Sequence, residues 1–186
     1  MNSEGINIYR HRQSMREGIL ASNSIATIVT NNRAELQKNI RTNVRLAYYE
    51  NKAARGTLDG KDYTDINKIV SDWYKRNLPT VENKNGETIR RDTVVTKDGH
   101  RLFVGKRFFE ETFNKLRRFN DSMVATTMKD AIRYKDWIGK AVKVKEEVGR
   151  DHIFGFDKYR LTYNGSTLEF KVKKSSGEIM YVLRVF

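Results

Sequence analysis

The sequence predicts an α+β fold, a helical N-terminal region followed by a helix-plus-antiparallel-sheet domain. Three observations carry that expectation. Residues 157–186 read as three consecutive strands, apolar residues earlier in the chain recur at helical spacing, and the two kinds of element are segregated along the chain. A doubly wound parallel sheet would need them to alternate.

Residues 1–28 show weak periodicity and are expected to form a mobile or loosely helical leader. Over residues 31–55, Leu36, Ile40, Val44, Ala47 and Tyr48 follow helical spacing, with Asn31 or Asn32 as N-cap and Gly56 as the stop. Arg33, Lys38, Arg41, Arg45, Lys52 and Arg55 decorate this helix as a solvated face. Thr64 or Asp65 can cap a second helix, in which Ile66, Ile69, Val70 and the core anchor Trp73 recur up to Asn77, before Pro79.

Residues 81–91, with Asn83, Asn85 and Gly86, read as a linker between a helical region, 1–80, and a domain of residues 92–186. Beyond it, residues 93–96 and 101–104 flank Asp98-Gly99 as a short hairpin. Phe109, Phe113 and Leu116 then mark a helix over 106–119. Ser122 can cap the next, which carries Val124, Met128, Ala131 and Ile132, with Trp137 near its end. Val142 and Val144 alternate with lysines as a strand.

Asn164-Gly165 between alternating runs is a strong hairpin signal. A two-residue turn there sets Tyr163 opposite Ser166, Leu161 opposite Leu168, Arg160 opposite Glu169 and Tyr159 opposite Phe170. A four-residue connection over 174–177 then sets Val172, Phe170 and Leu168 opposite Ile179, Tyr181 and Leu183, since a one-residue slip would bury lysines. One face is apolar, from Tyr159 through Phe170 to Tyr181, Leu183 and Val185, and needs a helical cover. The other carries Lys158, Arg160, Thr162, Thr167, Glu169, Lys171, Lys173 and Arg184. Met180, Val182 and Phe186 interrupt that polar face, so a helix or the N-terminal region is expected to cover part of it and shape a cleft.

The chain has 186 residues, with 36 Lys and Arg against 23 Asp and Glu. A formal net charge of +13 favours a polyanionic partner, nucleic acid first and an anionic membrane surface second. The absence of cysteine excludes disulfides, a thiol nucleophile and a cysteine metal site. No apolar run approaches the ~18 residues of a transmembrane helix, and the polar start is not expected to be a signal peptide. Walker, GxGxxG, HExxH, EF-hand and GxSxG patterns are all missing. His11, His100 and His152 are too scattered for a metal site to be expected, and no cofactor is.

Metal-free RNA cleavage needs a base for the ribose 2'-hydroxyl, an acid for the leaving oxygen, and fixed positive charge around the phosphorane. Glu169 is the candidate base, with Arg160, Lys171 and Arg184 as the electrostatic clamp. His152 is the candidate acid, ahead of His100, because a short loop can return it to the sheet. The competing interpretation is a cross-strand contact between Arg160 and Glu169 on an exposed sheet.

The run from Asp92 to Thr112, DTVVTKDGHRLFVGKRFFEET, and the strands from Tyr159 onward resemble the opening hairpin, helix and closing meander of the phage-associated barnase-EndoU-colicin-RelE (BECR) nuclease superfamily. The resemblance covers roughly residues 92–186. It implies a metal-independent endoribonuclease toxin domain at the end of a larger phage, polymorphic-toxin or injection-system protein. A basic residue in the family's first helix is matched by Lys106 or Arg107. Members often place Thr or Ser near the end of the last strand, where this chain has Arg184, a departure compatible with an altered or inactive site.

The expected function is therefore a toxin-type endoribonuclease acting in the cytoplasm. Glu169, Arg160, His152, Lys171, Arg184 and Lys106 are its catalytic candidates, and Arg107, Lys158, Lys173 and Lys174 hold RNA. An immunity or carrier protein is an implied partner. The alternative is a non-enzymatic nucleic-acid-binding or structural module of a mobile-element protein, with the N-terminal half as a delivery or docking element.

Overall fold

A computed structural model of the chain describes residues 3–119, 122–148 and 155–185. Its contacts divide into two units, Met1–Arg41 and Thr42–Phe186. The first is helical, part of helix α1 (Ser3–Ala54), so the expected leader is a regular helix from Ser3. None of the side chains described there, over residues 12–20 and 24–41, is buried.

In the second unit, the remainder of α1 buries Thr42, Leu46, Tyr49 and Ala53, one face at i, i+4, i+7 and i+11. Of the apolar residues that follow helical spacing, Val44 and Tyr48 are exposed here. Polar anchors fix that rotation: the Tyr49 hydroxyl donates to Asp65 at 3.0 Å, and the Lys52 ammonium to Asp62 at 2.7 Å. A further bond of 2.7 Å joins Lys129 to Glu50.

Helix α2 (Gly60–Asn77) begins before the expected Thr64 cap. Asp59 is the N-cap, accepting from the Lys61 and Asp62 amides, while the Asp62 carboxylate accepts from the Asp59 amide. Ile66, Ile69, Val70 and Tyr74 are buried, and Trp73 sits 5.9 Å from the Phe109 ring as a core anchor.

The residues expected as a linker contain strand β1 (Thr80–Glu82) and the start of β2 (Thr88–Val95), paired with Val81 opposite Ile89. Asn83 and Gly86 form the turn of this hairpin, with the Asn83 side-chain oxygen accepting from the Asn85 and Glu87 amides. The same residue types mark turns and linkers, so composition could not separate them. A single apolar core runs across this segment, from Leu46 and Ile66 to Val182.

The chain continues through β3 (Arg101–Gly105), α3 (Lys106–Arg118), α4 (Val124–Ala131) and α5 (Tyr134–Trp137) to β4 (Val142–Glu147), β5 (Phe156–Tyr163), β6 (Ser166–Lys173) and β7 (Glu178–Val185). The expected Ser122 cap is not used; Met123 is the α4 N-cap, without a side-chain bond. The sheet order is β1-β2-β3-β7-β6-β5-β4, with every pairing antiparallel except β3 with β7. The fold is α+β. Its helical cover is seen in Trp137, whose ring lies 5.6 Å from Phe170, itself stacked on Tyr159 at 5.2 Å. No helix among the described residues is long and apolar enough to cross a membrane.

Strands β5 and β6 pair in the expected register throughout, around a turn in which Asn164 and Gly165 take φ of +48° and +74°. The β6 and β7 register differs from expectation. Val172 faces Ile179 as expected, but Lys171 then faces Tyr181, so Met180 is an extra, bulged residue. Beyond it Phe170 faces Val182, Leu168 faces Arg184, and the strand's faces are exchanged. Val182, expected on the polar face, is fully buried, while Tyr181 has left the core face and Leu183 is partly buried against the core.

Candidate nucleic-acid interface

The bulge decides which expected site residues meet. Arg184 is carried to the helix-covered face, where its guanidinium donates to the Asp130 carboxylate of α4 and to the Ser166 hydroxyl. Its side chain is only 10 % exposed and that of Asp130 8 %. Burial raises the Asp130 carboxyl above the usual aspartate range, against the pull of Arg184. Arg184 is therefore a core ion-pair residue and does not join a clamp beside Glu169.

Glu169, Arg160, Lys158 and Lys171 do come together on the open face. Glu169 accepts from Arg160 at 2.8 Å and pairs with Lys158 at 3.0 Å, while Glu147 pairs with Lys158 at 3.4 Å and Lys171 at 2.5 Å. Lys158 and Lys171 are direct cross-strand neighbours, and Glu147 of β4 relieves their repulsion. Burial disfavours ionisation of Glu169, but the bonds from Arg160 and Lys158 outweigh it and hold the carboxyl below the usual glutamate range. A base of that kind has little affinity for a proton near neutral pH.

The other candidates are dispersed. Lys174 pairs with Glu146 at 2.8 Å and Asp157 at 3.7 Å, and Lys173 lies opposite Glu178 at the end of the β6 and β7 ladder. His152 lies outside the described residues. His100 sits 3.2 Å from the Asp98 carboxylate, its ring edge-on to Tyr159.

Lys106 and Arg107 belong to a different surface, which α3 creates. Helix α3 lies against β7, and the Val182 amide donates to the Thr112 hydroxyl at 3.1 Å. With Phe108, Phe109, Thr112, Phe113 and Leu116 buried, the opposite side of the helix is left to Lys106, Arg107, Glu111 and Lys115. Two depressions result. One, of about 550 Å³, is lined by Arg90, Arg91, Phe103, Lys106, Arg107, Glu110, Glu111 and Glu178, among others. The second, of about 280 Å³, is lined by Arg107, Glu111, Lys115, Phe156, Lys171, Met180 and Tyr181.

They share Arg107 and Glu111 and interleave cations with rings. The Arg91 guanidinium lies 4.2 Å from the Phe103 ring centroid, and the Lys115 ammonium 4.3 Å from that of Tyr181. Lys106 and Lys171 are held above the usual lysine range, first by hydrogen bonds to Glu110 and Glu147 respectively, so both remain cations. Among the described residues no group of three or more His, Asp or Glu side chains is arranged to hold a metal ion.

No protein-family model, curated protein or solved structure matches the chain. Sequence reading found Lys106, Arg107 and Lys171, and missed Arg90, Arg91, Glu111, Lys115, Phe103, Phe156 and Tyr181. The Arg90-Arg91 pair was hidden by the linker expectation, and Tyr181 by the register. The one signal available was the run of Lys106, Arg107, Glu111 and Lys115 at helical spacing opposite the phenylalanines.

Proposed function

We propose that the chain is a nucleic-acid-binding module that holds single-stranded RNA along α3. One observation carries the proposal: Arg107 lines both depressions, so Arg90, Arg91, Lys106, Lys115 and Lys171 flank a shared track with Phe103, Phe156 and Tyr181 interleaved. Cations following a backbone, with aromatic rings for bases to stack on, are what a single strand requires. The test is titration of a labelled single-stranded RNA across a salt series, with Arg107→Ala and Lys115→Ala as probes. Binding indifferent to both variants would refute the assignment.

A second reading adds chemistry to the same track. Glu111 lies in both depressions beside Arg107, with Lys115 and Lys171 lining the second, so a carboxylate and an electrostatic clamp share the track. This reading is supported by the order of hairpin, helix and antiparallel meander, which the BECR resemblance leads one to expect. On it, the chain is a metal-independent endoribonuclease of the toxin type, acting on cytoplasmic RNA and kept in check by an immunity or carrier protein. Fragmentation of total RNA that persists in EDTA and disappears in Glu111→Gln, with binding retained, would support it. Binding without fragmentation leaves the non-enzymatic module.

A further inference from the structure

The strongest unexplained surface lies on the helical unit Met1–Arg41. Met15, Ile19, Val29, Leu36 and Ile40 are each more than half exposed, as are Leu20, Ile25 and Ile28. Extensive apolar exposure of this kind marks an interaction surface. Ile25, Thr27, Ile28, Val29 and Thr30 place five β-branched residues within six positions, a composition with weak helix propensity. Such a segment stays helical when an apolar face is packed.

Five of these side chains fit a seven-residue repeat. Ile19, Ala26 and Ile40 fall at one seam position and Met15, Val29 and Leu36 at the other, with Arg33 and Ser22 as the polar members of the two sets, while Leu20 and Ile28 lie off the seam. The flanking positions 16, 18, 23, 25, 30, 32, 37 and 39 carry a single charge, on Arg16, while Glu17, Glu35, Lys38 and Arg41 lie on the outward face. A foreign charged partner would find almost no complementary charges along this seam. A second copy of the helix would meet its own apolar stripe, with Arg33 as the one charge in the seam itself.

We propose that this segment is a self-association surface, in which the 15–40 helix of one chain packs along that of a second copy. Arg33 is the seam residue that weakens the pair and restricts its register.

The test is sedimentation equilibrium of the full chain over a concentration series, with near-ultraviolet circular dichroism of Trp73 and Trp137 to report that the Thr42–Phe186 unit is intact. The expected result is a mass above that of the monomer. Ile19→Glu combined with Val29→Glu should raise the dissociation constant by about a hundredfold or more, Arg33→Leu should lower it about tenfold, and outward-facing Lys38→Leu should leave it unchanged. A monomer at every concentration overturns the proposal, as does an oligomer indifferent to the seam variants. A monomer that instead co-sediments with phosphatidylserine vesicles also overturns it, and makes an anionic bilayer the occupant of the stripe.

Discussion

Arg184 and Asp130 form a largely buried ion pair between the last strand and α4, with the Ser166 hydroxyl as a further acceptor for the guanidinium. Removing one partner leaves a charge in the core without compensation. Arg184→Leu is expected to cost about 3 kcal/mol of unfolding free energy, with Asp130→Leu in the same background recovering part of it. Urea denaturation checks both. RNA affinity of the folded variants should stay at the wild-type value, because Arg184 lines neither depression.

Thr112 joins α3 to β7 through the amide of Val182, while its hydroxyl donates to the Phe108 carbonyl at 2.7 Å. Thr112→Val keeps the shape and leaves the buried amide without an acceptor. The expected loss is about 1–2 kcal/mol by denaturant unfolding. Since this contact also sets α3 against the strand beneath the cleft, hydrogen exchange of the Val182 amide should quicken in the same variant.

Arg107 and Lys115 should each contribute about one unit to the slope of log affinity against log salt when single-stranded RNA is bound. Arg160 should contribute much less, because Glu169 already holds its guanidinium at 2.8 Å. Anisotropy titrations of the three alanine variants test that order. An Arg160→Ala effect equal to that of Arg107→Ala would move the interface onto the open sheet face.

Glu169 and Glu147 have folded-state values below the ordinary glutamate value of 4.5, Glu169 despite its burial and Glu147 chiefly through Lys171. As pH falls, the unfolded chain takes up these protons first. Their stabilisation is complete above 4.5 and declines as pH drops through the depressed folded values. The stability difference between wild type and Glu169→Gln, measured by urea midpoints from neutral pH downward, should therefore shrink as the solution becomes acid. A constant difference would mean that Glu169 binds its proton equally well in the folded and unfolded chain.

Much of the sheet was legible because its signals are local. Asn164-Gly165 specifies a turn, and alternation on either side specifies which residues oppose each other, so Arg160 meets Glu169 as the sequence implies. The rotation of α1 was not legible. Leu36, Ile40, Val44 and Tyr48 make the more regular stripe, yet Thr42, Leu46, Tyr49 and Ala53 are buried, because anchors such as Asp65 and Asp62 come from a different helix. The cleft was half legible for a related reason. Lys106 and Arg107 announce a basic helix start, but the rings that complete the track come from β3, β5 and β7, and only folding brings them beside it.

The single extra residue at Met180 gives β7 two halves of opposite substitution tolerance. Ile179 obeys one alternation and Val182 the other, so a lysine scan should find positions 179 and 182 intolerant and 181 permissive, a spacing of three that no uninterrupted strand produces. A homologous strand one residue shorter would align with this one only if a gap were opened there. Without that gap, an alignment would match the inward Arg184 with an outward-facing residue and assign a surface role to a side chain that belongs to the core.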